Sequence, residues 1–536
     1  MALTWMKRAK TVALAGVLTL GLGGGTALAI SAGDLGPGNI DYTRTGSITI
    51  FKHENQSSAS PVVGDPTKEE DPITSAPVAG VGFAAFPFSN LPLANDDNAN
   101  ANWGKLSALK EADIANACST VNADGTGSPT LSGFTFDKGL TFDPTDTAGK
   151  TKLSNLAVGA YLVCEYKAPE TVNKKAAPIL VTIPYPDTER EGATKQWIYD
   201  VTVFPKNTVS KLSKSIEQQT EHGLGQGSEV HFPVTATIPA IPANEQFQYF
   251  VVEDPMDSRF DLSTVDVASV TLNGTALDKA DYTVTKDGTK VTLSLTQAGL
   301  TKIKAAAGQD LVVTFKGVLA YIGDGNIKNK ANLYFDSKPG DTPPTTPPPP
   351  TTPPIPSNEV EDHWGNFRLY KHDGNEPSKA LDGAQFEIYD AKDPYPADGQ
   401  CKAERAEDAK PIEVKNGYGS RTVFVTNSDG IVEIDGLFVS DSINPTVNAT
   451  SRCYVLVETQ APDGYIGLKD DMAVKVTAGL TAEDAFDVQV ANEKPVIPGL
   501  PLTGSQARVI MEIAGVMLIL GGVAIYAARR MRTNKA

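Results

Sequence analysis

Tyr161-Leu-Val-Cys-Glu165-Tyr-Lys-Ala168-Pro169 and Tyr454-Val-Leu-Val-Glu458-Thr-Gln-Ala461-Pro462 are one segment written twice. Each is an apolar run that carries a single carboxylate and closes on Ala-Pro. Three more pairs occur around them in the same order. Ser47-Ile-Thr-Ile-Phe-Lys52-His53 parallels Phe367-Arg-Leu-Tyr-Lys371-His372. Gly80-Val-Gly-Phe83 parallels Gly383-Ala-Gln-Phe386, and Asp200-Val-Thr-Val203 parallels Asp487-Val-Gln-Val490. Matches in a fixed order mean two copies of one domain, placed at 30–206 and 358–499. The stretch 207–340 lacks these marks and is a different domain.

The elements inside these blocks are strands. Ser47–Phe51, Ile179–Ile183, Val230–Ile238 and Leu311–Phe315 alternate or run apolar, with turn residues between them. Long amphipathic helices are scarce. The expected fold is all-β: three tandem immunoglobulin-like β-sandwiches, two alike and flanking a different middle one. The 536 residues hold about three domains at roughly 150 residues each. A linker at 341–357 separates the last two. It has nine prolines between Pro343 and Pro356. Proline fixes φ and removes a donor, so no ladder runs through it. An extended polyproline path makes it a semi-rigid spacer of roughly 50 Å.

Both ends differ from the fold. Residues 1–29 read as an export signal. Lys7, Arg8 and Lys10 precede an apolar stretch from Thr11 to Leu22, and Ala27-Leu28-Ala29 gives the cleavage pattern, with Ala32 the second choice. At the other end, 500–536 begins with Leu500-Pro501-Leu502-Thr503-Gly504. Val509 to Ala528 is apolar apart from Glu512, long enough to enter or cross a bilayer. Arg529, Arg530, Arg532 and Lys535 form a basic stop.

Composition excludes several functions. Lys and Arg number 47 against 64 Asp and Glu, a net charge of −17, so there is no basic face for nucleic acid. His53, His222, His231, His363 and His372 show no metal spacing, and no nucleophile elbow or phosphate loop occurs. No metal, cofactor or enzyme site is expected. Outside the membrane, cysteines can pair. Cys118 and Cys164 fall in the first copy, Cys401 and Cys453 in the last. Three pairings are possible. The within-domain one needs no contact across the linker, and each bridge would contribute about 3–4 kcal/mol.

Two motifs carry the resemblance that assigns a function. Leu500–Gly504, followed by an apolar helix and basic tail, resembles the LPxTG sorting signal of Gram-positive surface proteins. Trp197-Ile-Tyr-Asp-Val201-Thr-Val203-Phe204-Pro205-Lys206-Asn207 resembles the pilin motif WxxxVxVYPK, with Phe204 in place of Tyr. With the E-box Tyr454–Tyr465, the chain is similar to the shaft pilins of Gram-positive sortase-assembled fimbriae, of the Actinomyces and Corynebacterium type. Its first and last domains resemble CNA-B modules. The resemblance implies cleavage between Thr503 and Gly504, and attack by Lys206 on the acyl-enzyme formed at Thr503 of another subunit. The partners it implies are a class C pilin sortase, a housekeeping sortase, identical subunits, a tip adhesin and peptidoglycan. An attacking lysine must be neutral, and its ordinary pKa is near 10.4. Pro205 is expected to end the strand and present Lys206 outside the ladder.

The same resemblance implies internal Lys–Asn isopeptide bonds. In the last domain it assigns Lys371, Asn492 and Glu458. Burial disfavours the charged lysine and carboxylate, so a neutral amine attacks the carboxamide, polarised by the protonated acid, and ammonia leaves. In the middle domain it assigns Lys214, Asn329 and Asp254, with Lys211, Glu253 and Asn332 as close competitors. In the first domain Lys52 and Glu165 are present. Aligning Asp487–Asn492 on Asp200–Pro205 puts proline where asparagine should be, so Asn207 could join Lys52 only through a register shift. The Cys118–Cys164 disulfide then offers a different staple. A monomeric LPxTG wall-anchored adhesin is the alternative function, and it leaves the pilin motif unexplained.

Overall fold

The computed structural model describes residues 40–495 except 57–61, 63, 94–97, 188–195, 218–222, 418 and 445–447, together with parts of 511–523. The export signal at 1–29, His222 and the sorting motif Leu500–Gly504, including Thr503, lie outside the described residues. Residues 511–517 are helical. Among the described residues, no helix is long and apolar enough to cross a membrane.

The first domain packs two sheets face to face. One holds Asp200–Val203, Gly46–Phe51 and Lys150–Leu156; the other holds Gly82–Pro87, Gly159–Lys167 and Ile179–Ile183. Alternate apolar side chains from both sheets, Ile48, Ile50, Phe83, Val163 and Val201 among them, fill the space between. Outside the second sheet lies an insertion with the helix Ala99–Ala108. Its Trp103 packs against Trp197 of the pilin motif, ring centroids 5.7 Å apart and planes tilted by 47°. The middle domain has two five-stranded sheets. Phe232, Phe250, Phe315 and Phe335 are buried between them. The last domain repeats the first. Val360–Asp373 lies between Ile431–Asp441 and Val488–Asn492, facing a sheet built on Gln385–Asp390 and Ser451–Gln460.

The proline-rich segment is not a free spacer. Ile355–Pro356 pairs with Leu333 and Asn332. The backbone N–H groups of Thr351 and Thr352 each donate to the Tyr249 hydroxyl at 3.1 Å. Asp341 and Pro343 accept from Gln246 and Gln297. Proline removes donors but keeps carbonyl acceptors, and the intervening threonines supply N–H groups. A polyproline strand can therefore lie along a sheet edge. The next strand, Val360–Asp373, pairs at its start with Asn326–Asn329 of the middle domain and then continues into the last domain. Trp364 is fully buried at this junction against Phe438, 5.6 Å away.

Beside Trp364 the junction buries two acids. Asp362 and Asp441 are direct partners across the ladder, at 1% and 0% exposure. Trp364 Nε1 donates to Asp362 at 2.9 Å. Burial, with the Asp441 charge opposite, pushes Asp362 up to about 7, and burial also raises Asp441. A folded-state value above the unfolded one means stability is full below the unfolded value and is lost as pH rises through the folded one. Hydrogen exchange at 360–365, corrected for intrinsic rate, is expected to be slower at pH 5 than at pH 8. Asp362→Asn is expected to reduce the difference, leaving the part due to Asp441; an unchanged difference in that variant would contradict it.

Candidate isopeptide sites and linking lysine

Each domain brings a buried lysine, a buried acid and a buried asparagine together. In the last domain Lys371 and Glu458 have fully buried side chains, 3.0 Å apart. Asn492 Nδ2 donates to Glu458 Oε2 at 3.0 Å, and Leu468 N donates to the same oxygen at 2.7 Å. Lys371 Nζ, Glu458 Oε1 and Asn492 Oδ1 are buried without a hydrogen-bond partner of good geometry. Orphaned polar atoms at this depth are costly, unless the groups react and lose their charges. Burial holds the Lys371 amine below the usual lysine range.

In the middle domain Lys214 pairs with Asp254, both side chains fully buried, and Asn329 is 2% exposed beside them. Burial lowers Lys214 and raises Asp254, which favours the neutral pair. The competitors stand elsewhere. Lys211 is exposed, Asn332 is half-buried, and Glu253 is half-buried near Lys290 and the Tyr334 hydroxyl.

The first domain corrects the sequence alignment. Lys52 Nζ donates to Glu165 at 2.8 Å and to Asn207 Oδ1 at 2.6 Å. Asn207 Nδ2 donates to the other Glu165 oxygen at 2.9 Å. No register shift is needed. Asn207 opposes Glu54, two residues beyond Lys52, just as Asn492 opposes Asp373, two beyond Lys371. The Asp-Val-x-Val marks mislead because they are not equivalent. Asp200 stands opposite Ser47, whereas Asp487 lies beside Arg368.

Features without a role in the sequence reading complete these sites. Phe83, Phe386 and Phe232 present ring faces to Lys52, Lys371 and Lys214 at 5.8, 5.8 and 5.1 Å. Two of these rings belong to the Gly-x-x-Phe repeat, so the signal was present without its meaning. Gly149 and Gly430 have φ of +72°, and each accepts the N–H of its domain's lysine. A Cβ at Gly430 would meet the Lys371 carbonyl oxygen at 2.4 Å. Gly430→Ala is therefore expected to destabilise the last domain by about 1–3 kcal/mol through strain; a denaturant midpoint equal to wild type would contradict this.

Both disulfides close within domains: Cys118–Cys164 with Cα atoms 5.7 Å apart, and Cys401–Cys453 at 5.4 Å. Cys164 directly precedes Glu165, while Cys453 precedes Tyr454, so the bridges are not equivalent. The first domain holds both its disulfide and its lysine triad.

Lys206 lies one residue before the buried Asn207, on the other face of strand Lys206–Val209. Pro205 interrupts pairing only locally. Contrary to expectation, Lys206 is back in a ladder opposite His53, with Pro205 O accepting from His53 N. It is the Lys206 side chain that leaves the sheet, half-buried in a groove of ≈ 530 Å³ between the first and middle domains. Burial holds its amine below the usual lysine range. Phe204 stacks on Phe51 at 5.9 Å in a small apolar cluster with Ile73.

Comparisons with known proteins agree with this architecture. Residues 44–208 match the Gram-positive pilin subunit D1, N-terminal domain, and 211–343 the Sgo0707 N2 domain. Residues 365–494 match the prealbumin-like fold domain, and 492–535 the LPXTG cell wall anchor motif. The chain is 38% identical to fimbrial subunit type 2 of Actinomyces naeslundii, over 98% of this chain and 97% of that one. It is 28% identical to fimbrial subunit type 1 of Actinomyces viscosus, over 97% and 98%. It is similar to the full-length major pilin SpaD from Corynebacterium diphtheriae, with a TM-score of 0.60 and 26% identity over 86% of this chain and 99% of that one. Tandem sandwiches and a wall anchor define a cell-wall-anchored pilin. The chain belongs to the Gram-positive fimbrial subunits, and works as a structural protein at the cell-wall surface.

Proposed function

We propose that this protein is the shaft subunit of a fimbria, polymerised head to tail through isopeptide bonds from Thr503 of one copy to Lys206 of the next. A class C pilin sortase makes the link, a housekeeping sortase joins the base to peptidoglycan, and a separate adhesin occupies the tip. The observation that carries the reading is the placement of Lys206. Its amine is half-buried in an interdomain groove, held below the ordinary lysine range, and makes no hydrogen bond or ion pair among the described residues. Such an amine loses its proton more readily than a surface lysine and attacks an acyl carbon brought into the groove.

Internal Lys52–Asn207, Lys214–Asn329 and Lys371–Asn492 bonds stiffen the shaft. In each, a proton passes from the amine to the acid, Nζ attacks the carboxamide carbon, and the acid returns the proton to the departing ammonia. The Asn207 and Asn492 Nδ2 atoms, which would leave, already point at Glu165 and Glu458. In wall extracts on denaturing gels, the shaft reading expects a ladder of high-mass species. A single band at mature size would favour the monomeric adhesin.

A further inference from the structure

Two further lysines, Lys174 and the exposed Lys175, line the groove with Lys206. Lys174 stands opposite Thr208 across the ladder, so it is a diagonal neighbour of Lys206 on the same sheet face. Such diagonal pairs lie about 7–8 Å apart. On position alone, an acyl group brought to Lys206 is within reach of Lys174.

The two amines are held differently. Lys174 Nζ reaches Glu245 Oε1 at 3.1 Å, Glu245 Oε2 at 3.5 Å and the Ser337 carbonyl at 3.3 Å. An ammonium has three N–H donors, and each has an acceptor here. Glu245 belongs to the middle domain, is 2% exposed, and is fixed in turn by the Ser337 hydroxyl, which donates to it at 2.5 Å. Breaking the pair would strand a buried carboxylate. Lys206 makes no such contact among the described residues.

We propose that Glu245 is a specificity-determining residue for polymerisation: it pins Lys174 in an ion pair, so that the acyl group passes to Lys206. The inference rests on Lys206 being the linking lysine. With Glu245 removed, the released Lys174 Nζ attacks the Thr503 acyl carbon. A new amide bond forms, the acyl–enzyme bond breaks, and the amine's proton leaves with the departing enzyme group. The contact also joins the two domains that wall the groove, so docking geometry and choice of nucleophile depend on one ion pair.

Three variants of the full chain, expressed in the fimbriated cell, test this. Lys206→Ala is expected to give no ladder. Lys206→Ala with Glu245→Gln is expected to restore a ladder, whose digestion yields Thr503 joined to Lys174. Adding Lys174→Arg is expected to abolish it again. A double variant exported with its internal bonds formed, yet giving no ladder or linking through the exposed Lys175 instead, would overturn the role of Glu245. A ladder in Lys206→Ala alone would overturn the linking-lysine reading, and this inference with it. A measurement on the unaltered protein stands apart from folding of the variants. In limited acetylation of the purified wild-type chain, Lys206 is expected to react faster than Lys174, whose amine is held by Glu245 and the Ser337 carbonyl. Equal rates would overturn the proposal.

Discussion

Replacing Lys206 with Ala is expected to leave the protein in wall extracts as one monomeric band with no ladder, an all-or-none effect. Lys206 Nζ makes no hydrogen bond or ion pair among the described residues, so its loss leaves no buried partner stranded. The stability cost is expected to stay within about 1 kcal/mol. Asn207, the next residue, faces the core and keeps its contacts with Lys52 and Glu165. The variant should therefore be exported, anchored and internally bonded, and lack only the linking amine. Lys206→Arg gives the same result, because a guanidinium stays protonated at any relevant pH. A ladder of normal length in either variant would contradict the assignment.

Replacing Glu458 with Gln is expected to have the second largest effect. The side chain keeps its volume but cannot shuttle the proton, so Lys371 and Asn492 remain unjoined. After allowing for the substitution itself, the intact mass of the disulfide-reduced chain should then exceed that of wild type by one ammonia. The lost bond connects the first and last strands of the domain and closes a loop of roughly 120 residues, worth about 4–5 kcal/mol by analogy with a disulfide. The amine left behind is buried without its carboxylate, which costs about 3–5 kcal/mol more. The last domain should unfold roughly 15–30 °C lower, visible as a separate calorimetric transition. Asp254→Asn should act in the same way on the middle domain. Unchanged masses in both variants would remove the internal bonds from the account.

Much of this was legible in the sequence, because the repeat put corresponding residues side by side. Lys371 and Glu458, assigned through the resemblance to CNA-B modules, stand 3.0 Å apart, and the strand pattern of Ile179–Ile183 and Leu311–Phe315 is reproduced. The errors have physical causes. Asn207 was misplaced because similarity between Asp-Val-x-Val segments is not register, which is set by hydrogen bonds between strands. Pro205 was read as a strand end, yet a missing N–H interrupts a ladder for only a residue or two. The proline-rich stretch was read as a spacer because composition shows which donors are lost and not where carbonyls find acceptor roles. The Lys174–Glu245 contact and the Asp362–Asp441 pair join residues far apart in the chain, through domain packing that no local pattern encodes.

The most direct test of the shaft assignment is the branched peptide from proteolysed wall polymer. The account predicts a fragment in which the Thr503 carbonyl is joined to Lys206 Nζ, with water lost relative to the two free peptides. A polymer whose Thr503 is joined to any other lysine, or carries no lysine linkage, would contradict it.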